Sequence, residues 1–186
     1  MPKTRSVAVL VGSLRKASYN RKMALAIAKL APETVKLAIV EIGDLPLYNE
    51  DTEAPAPAAW VRFRGEVKAA DALLFLTPEY NRSVPGCLKN AIDVGSRPYG
   101  SSVYGGKPGA IVSVSPGAVG GFGANHHLRQ SMVFLDVPTM QQPEAYIGGA
   151  ATLFDEHGGI ANETTRGFLT KFMQSFAAWI EANAKG

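Results

Sequence analysis

Ser6-Val-Ala-Val-Leu-Val-Gly-Ser-Leu-Arg-Lys-Ala-Ser-Tyr-Asn20 is the stretch on which the fold turns. Its first six residues carry no charge and have the length and composition of a strand covered on both faces. The run stops at Gly12, a polar loop follows, and residues 19–30 then show helical spacing. The same order returns at Leu73-Leu-Phe-Leu76, followed by the loop Thr77-Pro-Glu-Tyr-Asn-Arg-Ser-Val-Pro-Gly86 and a helix-like stretch over 84–95. Residues 35–40 and 109–114 supply two more apolar runs suited to burial on both faces, and helices are expected over 58–70 and about 123–135. A fifth strand is expected within 139–146, interrupted by Pro143, which has no N–H for a ladder. Phe168, Leu169, Phe172, Met173, Phe176, Trp179 and Ile180 recur at helical spacing and mark the buried stripe of a long terminal helix. Strand and helix thus alternate throughout, which selects an α/β fold: a mostly parallel sheet with helices on both faces, three layers in all.

Ligands of such sheets lie beyond the carboxyl ends of the strands, where the loops 12–20 and 77–86 are expected. The first loop offers the guanidinium fork of Arg15, the hydroxyls of Ser13 and Ser18 and the amide of Asn20, at a helix start whose free N–H groups favour an anion. That chemistry suits a terminal phosphate monoester. Pyrophosphate loops rely on bare backbone instead, and neither G-x-G-x-x-G nor G-x-x-x-x-G-K-[ST] occurs, Gly12 being the only glycine here. The competing reading is an ordinary N-cap at Ser18 with Arg15 and Lys16 in solvent. In the second loop Tyr80 supplies an aromatic wall with a polar tip. Glycines at 117, 120 and 121 allow backbone to approach a flat ring closely. Arg15, Lys16, Arg82, Arg97 and Lys107 fall in or near the expected mouth, where a basic rim would draw phosphorylated cofactors and small oxyanions; Lys16 and Lys107 read rather as solvated surface charges, and Arg97 is taken as an acceptor-binding residue.

Other chemistries fail on residue inventory. His126 and His127 are adjacent, so on a helix they point about 100° apart and do not chelate one ion easily; one surface and one half-buried histidine is the expectation, and no metal site. There is no G-x-S-x-G elbow, and His157 stands in a Gly-rich loop without an evident partner. Cys87 reads either as a thiol of lowered pKa near a helix start or as a small buried hydrophobe. A formal charge of +3 with scattered basic residues gives no footprint for nucleic acid. With 186 residues, 46% of them apolar, and no linker or repeat, one domain spanning 1–186 is expected. The start imitates a signal peptide, but a cationic loop stands where cleavage would occur, and no run approaches membrane-spanning length. A single cysteine fits a reducing cytoplasm.

Taken together, three strings resemble the NAD(P)H-dependent FMN reductases, and within them the bacterial chromate/quinone reductase branch. They are Gly12-Ser13-Leu14-Arg15 with Ser18-x-Asn20; Pro78-Glu79-Tyr80-Asn81 with Ser83-x-Pro85-Gly86 and Leu88-Lys89-Asn90-Ala91-Ile92-Asp93; and Ser115-Pro116-Gly117 with Gly120-Gly121. The second is the most specific. The resemblance implies a flavodoxin-like sandwich with five parallel strands in the order 2-1-3-4-5, FMN as cofactor, and NADPH or NADH as donor. It implies a ping-pong cycle with quinones, chromate or other metal oxidants as acceptors. Pro78, Glu79, Tyr80 and Asn81 would wrap the isoalloxazine, Ser115 and Gly117 would meet it from the other side, and Tyr80 with Arg97 would border the acceptor. Such a cofactor carries its own chemistry, so few acid–base residues are needed. The resemblance further implies a homodimer or homotetramer whose second interface includes 128–130 and 143–146; Arg129 and Glu144, of opposite charge, are expected to pair across it near Tyr146, the competing reading being an exposed or intrachain ion pair. Val94-Gly95 stand where a bulkier aromatic pair is usual, and Cys87 where glycine is common, which bears on acceptor preference. The alternative is a flavodoxin-like electron carrier without NAD(P)H turnover; such carriers are acidic, and an isoelectric point near 9.0 argues against it.

Overall fold

β3 (Ala72–Thr77) is buried at every residue because it forms the centre of a sheet with cover on both faces. The computed structural model describes residues 3–184. β3 lies between β1 (Arg5–Val11) and β4 (Gly109–Val114), with β2 (Val35–Val40) and β5 (Ala145–Ile147) at the edges. All four pairings are parallel, and the order β2-β1-β3-β4-β5 is the expected one. Side chains alternate between two cores. Val7, Val9, Val11, Leu74 and Leu76 pack with Met23 and Ile27 of α1 (Tyr19–Ala28) and with Phe172 and Phe176 of α5 (Glu163–Asn183). Ala8, Leu10, Leu73 and Phe75 face Trp60 and Phe63 of α2 (Ala58–Ala69), Leu88 of α3 (Gly86–Gly95) and Leu128 of α4 (Phe122–Phe134).

Three expectations need correction. β5 covers only Ala145–Ile147: Thr139 makes an isolated bridge to Gly109, and the chain then leaves the sheet before Pro143. β2 is not covered on both faces, since as an edge strand it leaves Lys36 and Ala38 exposed. Both His126 and His127 are exposed, because α4 buries Ala124, Asn125, Leu128 and Met132 instead. The terminal stripe does pack as core, with Leu169, Phe172, Met173, Phe176 and Ile180 buried and Trp179 donating its indole N–H to the Pro138 carbonyl at 2.8 Å.

A candidate flavin site at the carboxyl edge

Parallel strands carry all their following loops to one edge, so the turns after β1, β3, β4 and β5 meet there. Gly12 N–H donates to Leu76 O at 2.8 Å, which ties the first loop to the end of β3. From there until Ser18, whose N–H donates to Arg15 O at 3.0 Å, the amides of 13–17 make no backbone bond among the described residues. They form an unfilled donor set at the start of α1. Ser18 Oγ accepts from Arg21 N–H at 3.2 Å and is buried, so the N-cap reading holds for its oxygen while its proton stays available. Arg15 is exposed, lies 4.9 Å from the Tyr19 ring centroid and donates to Ala17 O at 2.7 Å. A cavity of about 520 Å³ borders Ser13, Leu14, Arg15 and Lys16 on their β2 side.

Asn20 joins the first loop to the third. Only 2% exposed, it donates Nδ2–H to Val114 O at 3.1 Å, while its Oδ1 is buried without a partner. An orphaned acceptor in that position calls for a donor that the described residues do not supply.

The loop after β3 is a two-residue hairpin turn. Tyr80 and Ser83 exchange backbone bonds of 3.1 and 3.0 Å, and both central residues are left-handed, with φ of 51° at Asn81 and 66° at Arg82. Primed turns demand that conformation, and Arg82 tolerates it only because the surroundings fix it. The turn projects Tyr80, 54% exposed, outward. Its base is pinned to α4: Glu79 accepts from Ala124 N–H at 3.0 Å, Arg82 lies 3.5 Å from Glu79, and Ser83 Oγ meets His127 Nδ1 at 3.0 Å. The side chain of Glu79 therefore caps α4, whose own N-cap, Gly121, has no side chain to do so. A Cβ at Gly123 would come within 2.9 Å of Glu79 Oε2, so this cap requires glycine there.

Two glycines of the loop after β4 differ in what surrounds them. A Cβ at Gly120, at φ +64°, would lie 2.6 Å from the Tyr146 carbonyl carbon, whereas one at Gly117 would meet only Ser115 Oγ, at 3.6 Å. The first packs backbone on backbone; the second faces open space. Ser115 Oγ accepts from Gly117 N–H at 3.2 Å and fixes that turn.

Of the anticipated residues, Ser13, Arg15, Ser18, Asn20, Tyr80, Asn81, Ser115 and Gly117 gather at this edge. Arg97 and Lys107 do not: α3 runs antiparallel to the strands, so Arg97, past its end, and Lys107, before β4, lie at the amino edge. Position soon after a loop misled, because about 15 Å of helix intervenes. Cys87 is half-buried, and burial pushes its thiol pKa up, which overrides the pull of the helix start. Arg129 bonds within its own chain, to Asn125 Oδ1 at 3.1 Å and Met140 O at 3.0 Å. Sequence reasoning missed an aromatic group beside the site. Phe122 and His126 have ring centroids 4.2 Å apart, and His126 Nε2 meets the Tyr146 hydroxyl at 3.0 Å. Burial first, then the Glu144 carboxylate, raise the Tyr146 pKa to about 12, so it stays a phenol at neutral pH. The one signal was helical spacing, Phe122 to His126.

An open parallel sheet with a phosphate-type loop, a projecting aromatic hairpin and a glycine turn at one edge defines the flavodoxin-like class of flavin proteins. Residues 5–152 match the family of NADPH-dependent FMN reductases. A quinone reductase from Pseudomonas putida is 67% identical over 184 residues, 98% of each chain. A 2-hydroxy-1,4-benzoquinone reductase from a Burkholderia species is 48% identical over 94% of this chain and 95% of its own. In three dimensions the flavoenzyme NAD(P)H:(acceptor) oxidoreductase FerB from Paracoccus denitrificans superposes with a TM-score of 0.93 at 41% identity, covering 97% of this chain and 100% of that one. The chain belongs to the FMN reductase family, and it is an oxidoreductase with FMN as cofactor and a reduced nicotinamide nucleotide as donor. The free amides of 13–17, the orphaned Asn20 Oδ1 and the open face of Gly117 fit FMN by donor and acceptor chemistry.

Proposed function

We propose that the protein is an NAD(P)H:quinone oxidoreductase that works by a ping-pong cycle at the carboxyl edge. Bound FMN supplies the electron chemistry, accepting from NADH or NADPH and passing to a quinone, with chromate a further oxidant at the same face. Arg15, Ser13, the Ser18 hydroxyl proton and the amides of 13–17 hold the phosphate. Asn20 Oδ1 accepts from a ribityl hydroxyl. The backbone of Pro78, Glu79, Tyr80 and Asn81 borders one side of the ring, and Ser115 and Gly117 the other. Glu79 acts through α4 as a positioning residue, and exposed Tyr80 walls the face where donor and acceptor alternate. The observation that carries this reading is the buried, partnerless Asn20 Oδ1 between two loops that a phosphate ester and a flat ring would fill. The same reading puts the protein in the cytoplasm.

For assembly, we propose a homodimer that pairs into a homotetramer, with Arg129 and Glu144 meeting across the second interface beside Tyr146. Sedimentation of wild type, Arg129→Ala, Glu144→Ala and the double mutant tests it: unchanged tetramers in all four, or a monomeric wild type, removes the proposal.

The enzyme reading is tested by the visible spectrum of purified protein under anaerobic conditions. Bleaching by NADPH or NADH and recovery on adding a benzoquinone are expected. Flavin that binds but does not bleach would make the protein an electron carrier instead.

A further inference from the structure

We infer that the amino edge of the sheet carries a second ligand site, built for the phosphate of a nucleotide-like compound and independent of the flavin site. A hollow of about 520 Å³ opens there between the second half of α2 and the α3–β4 connection, lined by Arg64, Lys68, Arg97 and Lys107 with the hydroxyls of Ser101 and Ser102. Among the described residues no acidic one lines it. None of the four cations forms an ion pair with a carboxylate among the described residues. Of the acids on neighbouring elements, Asp93 pairs with Lys89 at 2.9 Å and Asp71 with Lys3 and Arg5 at 3.7 and 3.8 Å, whereas Asp136, outside this hollow, borders the adjoining one.

Two of the cations are fixed in place. Arg64 donates Nε–H to Val94 O at 2.9 Å and lies 5.4 Å from the Trp60 ring centroid, which leaves its Nη2 buried without a partner. Lys107 donates its ammonium to the carbonyls of Lys68 and Ala70, and burial lowers its pKa. Those carbonyls are the negative end of α2, so Lys107 offsets one local feature that would repel an anion. Lys68 is exposed and Arg97 half-buried at the rim. Four like charges around one hollow raise each other's energy, and an anion with several oxygens relieves that while satisfying Arg64 Nη2.

The ligand's second part follows from the adjoining hollow of about 430 Å³, which shares Arg97, Ser102 and Gly105 with the first. Tyr99 and Phe134 border it and are 87% and 78% exposed. A phosphate in the basic hollow thus places an attached flat ring against two aromatic faces, the arrangement of a nucleotide.

Calorimetric titration of the FMN-loaded protein at fixed ionic strength tests this, with pyrophosphate, ADP and adenosine as probes. ADP is expected to bind more tightly than pyrophosphate, and adenosine far more weakly than ADP. Lys68→Glu with Arg97→Glu should weaken ADP and pyrophosphate by about a hundredfold, the scale of two lost charge-assisted contacts. Tyr99→Ser should weaken ADP alone. Pyrophosphate binding without preference for ADP would replace the nucleotide by free phosphate. Undiminished binding in the double variant overturns the site, as does loss of binding in Arg15→Ala, which would put the anion in the flavin loop, or no binding to wild type at millimolar probe. If the double variant does not fold, Lys68→Gln, an exposed position, carries the same test at about tenfold.

Discussion

At the carboxyl edge the frame of the site is backbone, to which Arg15 adds one side-chain charge: the free amides of 13–17, a left-handed hairpin at Asn81 and Arg82, and a glycine turn over open space. At the amino edge it is made of side chains, four cations brought from α2, the α3–β4 connection and the residue before β4. The first arrangement holds its geometry whatever the solvent charge, because amides and turns are fixed by the fold. The second depends on charge and is screened by salt. The comparison teaches that the two ends of α3, though joined by ten residues, belong to different chemistries.

The largest effect should come from the glycines of the loop after β4. Gly120→Val places a Cβ against the Tyr146 backbone at a positive φ and should lower stability by about 3 kcal/mol or more. Gly117→Val, three residues away, should leave the stability of flavin-free protein within about 0.5 kcal/mol and reduce FMN loading. Thermal melts with and without FMN separate the two. Equal destabilisation of the flavin-free proteins would mean that Gly117 faces protein and not ligand.

Next comes the contrast between the two arginines first assigned to one mouth. Arg15→Ala should weaken FMN by about one to two decades, since a charge-assisted bond contributes roughly 1.5–3 kcal/mol, and riboflavin should show little of that difference. Arg97→Ala should leave FMN affinity unchanged. A comparable loss in both, measured by fluorescence titration at matched salt, would place both edges at one site.

Why Arg97 misled while Arg15 did not is a matter of what local sequence encodes. Apolar run, polar loop and helix fix the order of elements, and parallel pairing then fixes which loops share an edge, so Arg15, Asn20, Tyr80 and Gly117 were legible together. The sense of a residue after a helix depends on that helix's length and end, which the spacing of 84–95 did not address. Glu79 was legible as a residue of the loop after β3 but not as the cap of α4, because the need arises from Gly121, more than forty residues on. The partnerless atoms of Asn20 and Arg64 are invisible without coordinates, since orphanhood is a property of everything nearby. β5 shrank because pairing with β4 requires consecutive N–H donors, and Pro143 supplies none.

A smaller effect separates chemistry from packing at Cys87. Its thiol pKa is raised by burial, so at pH 8 iodoacetamide should react more slowly than with an unfolded cysteine peptide. Cys87→Ser should retain most NAD(P)H–quinone activity. Normal FMN binding with no turnover in that variant would give the thiol a role in electron transfer.

The smallest effect is electrostatic and belongs to the amino edge, where Arg5 at the start of β1 meets Glu181 of α5 at 2.8 Å. The hydrogen bond from Arg5 holds the Glu181 carboxyl below its ordinary value, against the opposing effect of burial. A carboxylate whose folded pKa is depressed adds stability above its unfolded pKa, near 4.5. That contribution fades as pH falls through the folded value, because protonating Glu181 then removes the interaction in the folded state as well. Glu181 is exposed, so solvent screens the pair and the contribution is small. Wild type should therefore exceed Glu181→Gln in melting temperature by a small margin at pH 7, and the two curves should converge as pH falls through the depressed folded value. The margin should also shrink in high salt, as expected of a pair that solvent reaches. Curves that stay parallel into acid would show that the Arg5 contact stabilises through packing of its stem, and not through charge.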